Sequence, residues 1–358
     1  MVINLPKIKL LHLADLHCDR KISHLNNEKS ILRKTEILMT LKRTIETFSD
    51  ADIVLISGDL IDNPDCSDAT ISFLTELFKE FSKIKFFIAC GNHDYYESNS
   101  IQTLALKLPD NVIIFKDSIE EYTIEELGVR IFGISFSSAF SYTSLLNGFS
   151  CKDDEYINIM VMHGDVNSDS QYNPIAIQEI GQSGLDYLAL GHVHDYHGIM
   201  KKSNTTYAYP GVMEPCGFDE TGECGVIYGE IEKNSINLDF YPVSRREYHV
   251  IDFDVTEYSS SESLVMNLSK IISEDNLYRI NLVGTKNCYF DSQYLAAAIN
   301  GFYLEFNDCT ETKNDILNYA DEFSLRGKSA DYLIKHKDEY TEDVYNKACE
   351  ILSDLMCR

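Results

Sequence analysis

Between residues 15 and 194 the chain carries five short clusters of metal-ligating residue types. They are Asp15 with His17, Asp59, Asn92 with His93, His163, and His192 with His194. Mixed imidazole, carboxylate and amide donors suit adjacent divalent transition metals such as manganese, iron or zinc, and suit calcium or a thiolate zinc site poorly. Two such ions about 3.5–4 Å apart can clamp the attacking and leaving oxygens of a phosphoester during hydrolysis. Asp59, alone in its cluster, is the candidate to bridge both. Each fragment by itself is weak evidence, because a lone histidine after a strand is more often a core or capping residue. The ordered series DLH, GD, GNHD, HG, GHVH is far harder to reach by chance.

Residues so distant in sequence need a fold that gathers them. Lys7–Ala14, Ala51–Ser57 and Ile84–Cys90 read as buried strands. Between them, Glu28–Phe48 and Ala69–Phe81 have helical spacing, the first with Ile31, Leu38, Leu41 and Ile45 on one face. This alternation predicts right-handed crossovers and a mainly parallel sheet. Further strands are expected at Val129–Ser135, Ile157–Met162 and Leu185–Leu190. Shorter ones at Thr205–Tyr209, Gly225–Ile231 and Ile236–Tyr241 suit a second, partly antiparallel sheet packed on the first. Each cluster then falls at a strand's carboxyl end, where an open α/β sheet has its crevice. Gly58, Gly91 and Gly191 precede clusters where the backbone turns sharply. Near Tyr241–Tyr248 the pattern changes to a smaller mixed unit without a catalytic cluster. Residues 1–245 are therefore read as the domain that bears the site, and 246–358 as an α+β domain for capping or substrate specificity.

Charge narrows the function classes. Lys and Arg total 31 against 57 Asp and Glu, a formal net charge of -26. A protein that grips nucleic acid by a broad basic face normally has the opposite balance, so any such contact must be local or helped by metal or a partner. The basic residues of the first helical stretch, among them Arg33, are offset by Glu28, Glu36 and Glu46 and read as a solvated face. No apolar run is long enough to span a membrane, and the start lacks a signal-peptide pattern. Ten scattered cysteines without a CxxC pair suit a reducing cytoplasm. His12 alternates within its strand and reads as structural.

The motif series resembles that of the calcineurin-like metallophosphoesterases over about the first 245 residues. Tyr209-Pro210-Gly211, the EPCGFDE run from Glu214 to Glu220, and Gly222-Glu223-Cys224-Gly225 are similar to the SbcD-type DNA repair exonucleases. The YPVSRR run from Tyr241 to Arg246 and the EFSLRG run from Glu322 to Gly327 resemble the YhaO-like branch. The resemblance implies an α/β chain built as a four-layer αββα sandwich with a small C-terminal α+β cap domain. It implies one metal on Asp15, His17, Asp59 and His194, and another on Asp59, Asn92, His163 and His192. His93 would stabilise the transition state or protonate the leaving oxygen, with Asp94 orienting it. The implied activity is hydrolysis of DNA phosphodiester bonds by metal-bound hydroxide, as a repair exonuclease or endonuclease. Manganese is the expected ion, with iron or zinc as alternatives. The expected partners are DNA, a large SbcC-like coiled-coil ATPase and a second copy of the chain.

Two departures stand out. Asp62 occupies a position where some family nucleases carry histidine, and Cys18-Asp19 replaces a Leu-Gly pair. By the same analogy Glu214 and Phe218 would line the metal crevice. Two other functions remain open. The same centre could serve a small-molecule, cyclic-nucleotide or phosphoprotein substrate, which the acidic chain favours. A non-catalytic adaptor is disfavoured by the complete ligand set.

Overall fold

The computed structural model describes residues 7–62, 66–152, 155–166, 169–286, 290–312 and 316–356. The chain divides into two compact units, Met1–Glu247 and Tyr248–Arg358.

In the first unit β1 (Lys7–Leu13), β2 (Ile53–Ser57), β3 (Lys85–Ala89) and β4 (Val112–Ile114) lie side by side and parallel. Gly225–Glu232 pairs antiparallel on the free side of β1, and Ser235–Pro242 completes the six strands, so both join this sheet and not the second one expected of them. All five residues of β2 are buried, the pattern of a parallel strand covered on both faces. The crossovers are α1 (Asn27–Thr47) and α2 (Asp68–Glu80). The first helical turn of α1 is capped by Asn26, whose side-chain oxygen accepts from the Lys29 amide at 2.9 Å.

A second six-stranded sheet contains β5 (Glu120–Ile124), β6 (Val129–Gly133) and β7 (Ile157–His163), followed by Tyr187–Gly191, Thr205–Ala208 and Met200–Lys202. The two sheets face each other across one core. Ile8, Leu10, Leu55 and Phe87 come from the first, and Ile131, Ile159, Val161 and Ala189 from the second. Phe86, one residue out of phase with Phe87, meets Phe78 of α2 with ring centroids 4.9 Å apart. On the far side of the second sheet, Ile180 of the short helix Ile177–Gln182 packs with Met160, Met162 and Leu188. The result is the expected αββα layering. His12 ties the two sheets together, with Nδ1 2.8 Å from the Tyr187 hydroxyl and Nε2 2.9 Å from the Ser57 hydroxyl.

The buried face of α1 differs from the expected one. Ile31 is exposed, while Arg33, Ile37, Leu41, Thr44 and Ile45 point inward. Arg33 is fully buried because Glu214 meets it at 2.8 Å, so this helix is not a solvated face at that position. The strands β4 and β5 and the helix Asn99–Ala105 were not anticipated. The first two are edge or near-edge strands, and β5 (EEYTI) carries glutamates where a core strand would carry apolar residues.

The second unit has a parallel three-stranded sheet, Tyr248–Asp254, Leu277–Val283 and Tyr303–Asp308, adjacent in that order. The helices Ser261–Ile271 and Ser292–Ala298 connect successive strands, burying Leu264, Leu268 and Leu295 against Ile280 and Leu282. The helices Leu325–Lys335 and Glu342–Met356 follow, sharing a small core with Ile316. Among the described residues no helix is long and apolar enough to cross a membrane.

Candidate metal centre

The chain segments leaving β1 and β2 remain hydrogen-bonded beyond the strand ends. The amides of Asp15, His17 and Cys18 donate to the carbonyls of Gly58, Asp59 and Leu60 at 3.1, 2.9 and 3.0 Å, and the Asp62 amide returns to the Cys18 carbonyl at 3.0 Å. Several of these residues sit in left-handed backbone: Asp15 at φ 51°, His17 at 45° and Asp59 at 50°, with His192 at 105° from the second sheet. Such a conformation costs on the order of 1–3 kcal/mol at a non-glycine residue and gathers at functional sites. Two glycines make room for the side chains. A Cβ on Gly58, itself at φ 92°, would meet His163 Nδ1 at 2.2 Å, and one on Gly91 would meet Asp59 Oδ1 at 2.2 Å.

The hydrogen bonds set which ring nitrogens face the centre. His163 Nδ1 lies 2.9 Å from the Ser57 carbonyl, which can only accept, so Nδ1 carries the proton. Its Nε2 lone pair then faces Asn92 Oδ1 at 3.0 Å and Asp59 Oδ2 at 3.5 Å. His194 Nδ1 donates to the buried Glu220 carboxylate at 2.7 Å, which turns the Nε2 lone pair toward His17 Nε2 at 3.3 Å. His17 Nδ1 is buried without an aligned hydrogen bond, although Asp62 Oδ1 is 3.1 Å away.

Three groups of candidate ligands overlap here: Asp15, His17 and His194; His17, Asp59 and His93; Asp15, Asp59 and His163. Within each, the ligand atoms lie inside 4.8 Å of one another. Asp15, His17 and Asp59 each belong to two groups, so the three form one double-width centre. Asn92 joins through His163. His192 is set differently. Its amide donates to both Asp15 oxygens at 3.1 and 3.0 Å, and its ring stands beside those of His163 and Tyr172 at 5.2 and 4.9 Å.

The electrostatics call for a cation. Burial, and then the charge of Asp59, push the Asp15 carboxyl well above the ordinary carboxylate range. Burial works the same way on Asp59, but His163, His17 and His93 hold it below its usual value. Burial depresses His163 to about 4, so its ring is neutral and ligand-ready near neutral pH. Burial also opposes protonation of His194, yet the Glu220 hydrogen bond and the Asp15 charge keep it above the ordinary imidazole value. Buried lone pairs and carboxylates aimed at one another repel unless positive charge lies between them. This donor set fits divalent metal ions.

His93 stands at the rim, its side chain 42% exposed. Its amide donates to Asp59 Oδ1 at 3.0 Å. Its Nδ1 lies 3.1 Å from the Asp62 carbonyl, which leaves Nε2 as the ring's other site. Asp94 does not reach that ring, contrary to the orienting role expected of it. Its buried carboxylate accepts from the Gly91 and Ile61 amides at 2.8 and 3.2 Å and ties the GNHD loop to the segment after Asp59. Burial and the Asp59 charge raise Asp94 to about 7. Glu214 does not line the crevice either. Its carboxylate accepts from Arg33 at 2.8 Å, Thr40 at 2.7 Å and the Arg245 amide. Sequence reasoning missed Glu220 and Asp62 as supports of His194 and His93. Glu220 ends the EPCGFDE run, which was the one signal available for it.

The calcineurin-like phosphoesterase pattern matches residues 8–196. The uncharacterised metallophosphoesterase YhaO of Bacillus subtilis is 24% identical over 298 residues, covering 79% of this chain and 71% of its own. The SbcD component of the nuclease SbcCD of Staphylococcus epidermidis is 24% identical over 315 residues, covering 78% and 80%. The DNA double-strand break repair protein Mre11 of Aeropyrum pernix is 23% identical over 278 residues, covering 70% and 65%. Phosphoester hydrolysis with divalent metals is the chemistry of this family, and the matched stretch contains every candidate ligand from Asp15 to His194. The chain belongs to the calcineurin-like phosphoesterases, in kinship with YhaO, SbcD and Mre11.

Proposed function

We propose that the chain is a two-metal phosphodiesterase that cuts DNA in repair, a nuclease subunit of the SbcD kind. The observation that carries the reading is His93, exposed at the rim of a buried set of carboxylates and imidazole lone pairs, with Nδ1 held by the Asp62 carbonyl. The names of two relatives, a nuclease component and a double-strand break repair protein, support DNA as the substrate.

In this proposal Asp15, His17, Asp59 and His194 hold one ion, and Asp59, Asn92, His163 and His192 hold the other. Manganese is the proposed ion, with iron or zinc as alternatives. The bound ions supply Lewis acidity and an activated water at neutral pH. The chain's own residues do the rest. The Ser57 carbonyl and Glu220 fix the rings of His163 and His194 with their lone pairs inward. Asp94 holds the GNHD loop closed, so Asn92 and His93 keep their places beside Asp59. His93 acts as an imidazolium in this proposal: Nδ1–H is held by the Asp62 carbonyl, and Nε2–H faces the phosphoryl group, stabilises its developing charge and gives that proton to the leaving oxygen.

Residues 1–245 perform the chemistry, and residues 246–358 cap or select substrate. An SbcC-like coiled-coil ATPase supplies the grip on duplex that a chain of net charge -26 lacks. A homodimer and a cytoplasmic location belong to the same proposal. The acidic chain also favours a second reading, in which the same centre hydrolyses a small-molecule, cyclic-nucleotide or phosphoprotein substrate.

The test is cleavage of labelled duplex and single-stranded DNA by manganese-loaded protein, with and without the ATPase, beside a cyclic nucleotide and a phosphopeptide. Cleavage lost in His93→Ala with metals still bound supports the proposal. Hydrolysis of a generic phosphodiester with no cleavage of any DNA refutes it in favour of the second reading.

A further inference from the structure

A line of aromatic rings leads from the centre into solvent. The His192 ring is 4.9 Å from Tyr172, Tyr172 is 5.8 Å from Phe140, and Phe140 is 6.1 Å from Tyr142, measured between centroids. The last two pairs are stacked, with planes within 30° and 24° of each other. The outer rings are open to water, Phe140 at 43% and Tyr142 at 70% exposure. Large exposed rings in a hydrophilic loop sacrifice burial that a core would give them.

The loop that carries them is fastened to the metal centre. Phe136, at its start, packs edge-on against His163 with centroids 5.6 Å apart. Ser141 and the segment beside Tyr172 exchange backbone hydrogen bonds, Ser141 to the Gln171 carbonyl at 2.9 Å and Asn173 to the Ser141 carbonyl at 2.7 Å. Buried Asn173 closes the link, accepting from the Leu145 amide at 2.7 Å and donating to the His163 carbonyl at 2.7 Å. The position of the outer rings is thereby set against a candidate metal ligand.

The loop also has an unusual charge. Residues 131–151 contain no Asp, Glu, Lys or Arg, in a chain where 25% of residues are charged and acids outnumber bases. Its exposed residues are Ser137, Ser138, Phe140, Tyr142, Thr143, Asn147, Gly148 and Ser150. The loop's own residues offer an approaching polyanion neither repulsion nor a cation, and the acids beside it are Glu179, which accepts from Ser144 at 2.6 Å, and Asp165, whose charge acts on His192. Ring faces then supply the affinity that charge does not, and every nucleobase offers a face to stack on.

Resting on the nuclease reading, we propose that Tyr142, Phe140 and Tyr172 form a platform that stacks unpaired bases of the DNA strand whose phosphate is held at the metal centre. The platform favours single-stranded ends or locally melted DNA over intact duplex, because paired bases keep their faces covered. Tyr142 and Phe140 select the substrate and do not act on the reacting atoms.

The test is binding, kept separate from cleavage. Manganese-loaded His93→Ala protein is titrated with a fluorescent single-stranded oligonucleotide and with an abasic strand of equal length and charge. The base-bearing strand should bind about 5–100-fold more tightly. Phe140→Ala with Tyr142→Ala should bring the two strands to near parity, and Phe140→Trp with Tyr142→Trp should restore the preference. Equal binding of both strands by the parent overturns the platform. So does an alanine pair that weakens both strands alike, which would mark a structural role. Cleavage by the wild-type protein is scored alongside. A base preference without any DNA cleavage leaves the platform standing and removes the nuclease reading. DNA cleavage without a base preference does the reverse.

Discussion

Glu214→Ala should unfold the first unit at a much lower temperature while leaving its metal centre in place. Glu214 and Arg33 are both fully buried and meet at 2.8 Å. The same guanidinium nitrogen donates to the Pro215 carbonyl at 3.0 Å, and Arg33 Nη1 reaches Glu36 at 2.8 Å. Glu36 in turn accepts from Arg246 at 2.8 and 2.7 Å. Thr40 and the Arg245 amide share the other Glu214 oxygen. Removing this carboxylate leaves a buried guanidinium with Glu36 as its remaining acid and takes an acceptor from two further donors. Breaking a buried pair at one end costs about 3–5 kcal/mol. For a unit of this size that corresponds to a fall in Tm of roughly 6–20 °C.

The assay is thermal unfolding of the full chain at neutral pH, with bound manganese measured below the transition. A second variant separates charge from packing. Arg33→Met combined with Glu214→Leu removes both charges and keeps apolar volume, so it should recover most of the loss, since apolar replacement of a buried pair is often neutral or better. A loss under about 1 kcal/mol in Glu214→Ala would show the site to be solvated in practice and refute the reasoning. A double variant no better than the single would do the same. Loss of manganese at a temperature where the variant is folded would return Glu214 to the metal crevice.

Other predictions follow from the centre and the core. Glu220→Ala frees His194 Nδ1 and should weaken manganese binding about 10–100-fold, with Glu220→Gln intermediate, as read by metal titration. Undiminished affinity in Glu220→Ala would discard its orienting role. Burial holds His12 at about 3 in the fold, against an ordinary value near 6.5, so the unfolded chain takes up a proton that the folded chain refuses. Stability contributed by neutral His12 is therefore whole above about pH 6.5 and falls by up to about 1.4 kcal/mol per unit as pH drops toward 3. The stability gap between wild type and His12→Asn should shrink between pH 7 and 4.5, and a constant gap would contradict this. Manganese added to chelator-stripped protein at about 100 times its Kd should stabilise the first unit by about 2.7 kcal/mol, and an unchanged Tm would argue against a preformed site.

The strands that carry the centre were legible because parallel strands covered on both faces become apolar runs. β1, β2 and β3 read this way, each followed within three residues by a polar ligand type and, after β2 and β3, by an intervening glycine. β4 (VII) was not legible because three residues are too few to show a pattern, and β5 was not because it is an edge strand that carries glutamates. Arg33 looked like one charge among several on an amphipathic helix because Glu36 beside it could be read as its partner, while the fully buried counter-charge, Glu214, lies 181 residues away. The expected support of His93 by Asp94 followed sequence adjacency. The fold instead turns Asp94 onto backbone amides and offers His93 the Asp62 carbonyl, a group present at every residue and so invisible in residue type. The left-handed backbone of Asp15, His17 and Asp59 was equally hidden, because nothing in an aspartate or histidine announces a positive φ.

Those hidden features bear on the charge of -26. Strained backbone at Asp15, His17 and Asp59, and two buried carboxylates a few ångströms apart, oppose folding of the centre while it lacks positive charge. On the proposed reading, two divalent ions would offset this locally, adding four positive charges beside the carboxylates of Asp15 and Asp59, with Asp62 and Glu220 against the rings of His17 and His194. Repulsion from more distant acids is screened over about 10 Å at 0.1 M salt, so a strand that reached the crevice would feel the ions, the few acids around them and the uncharged stretch 131–151. On the proposed reading, an acidic protein can hold a polyanion because attraction is confined to one point and stacking carries the strand away from it. The surrounding acids then discourage binding anywhere else along the DNA, which makes the chain selective for strands that can present both a phosphate and an open base.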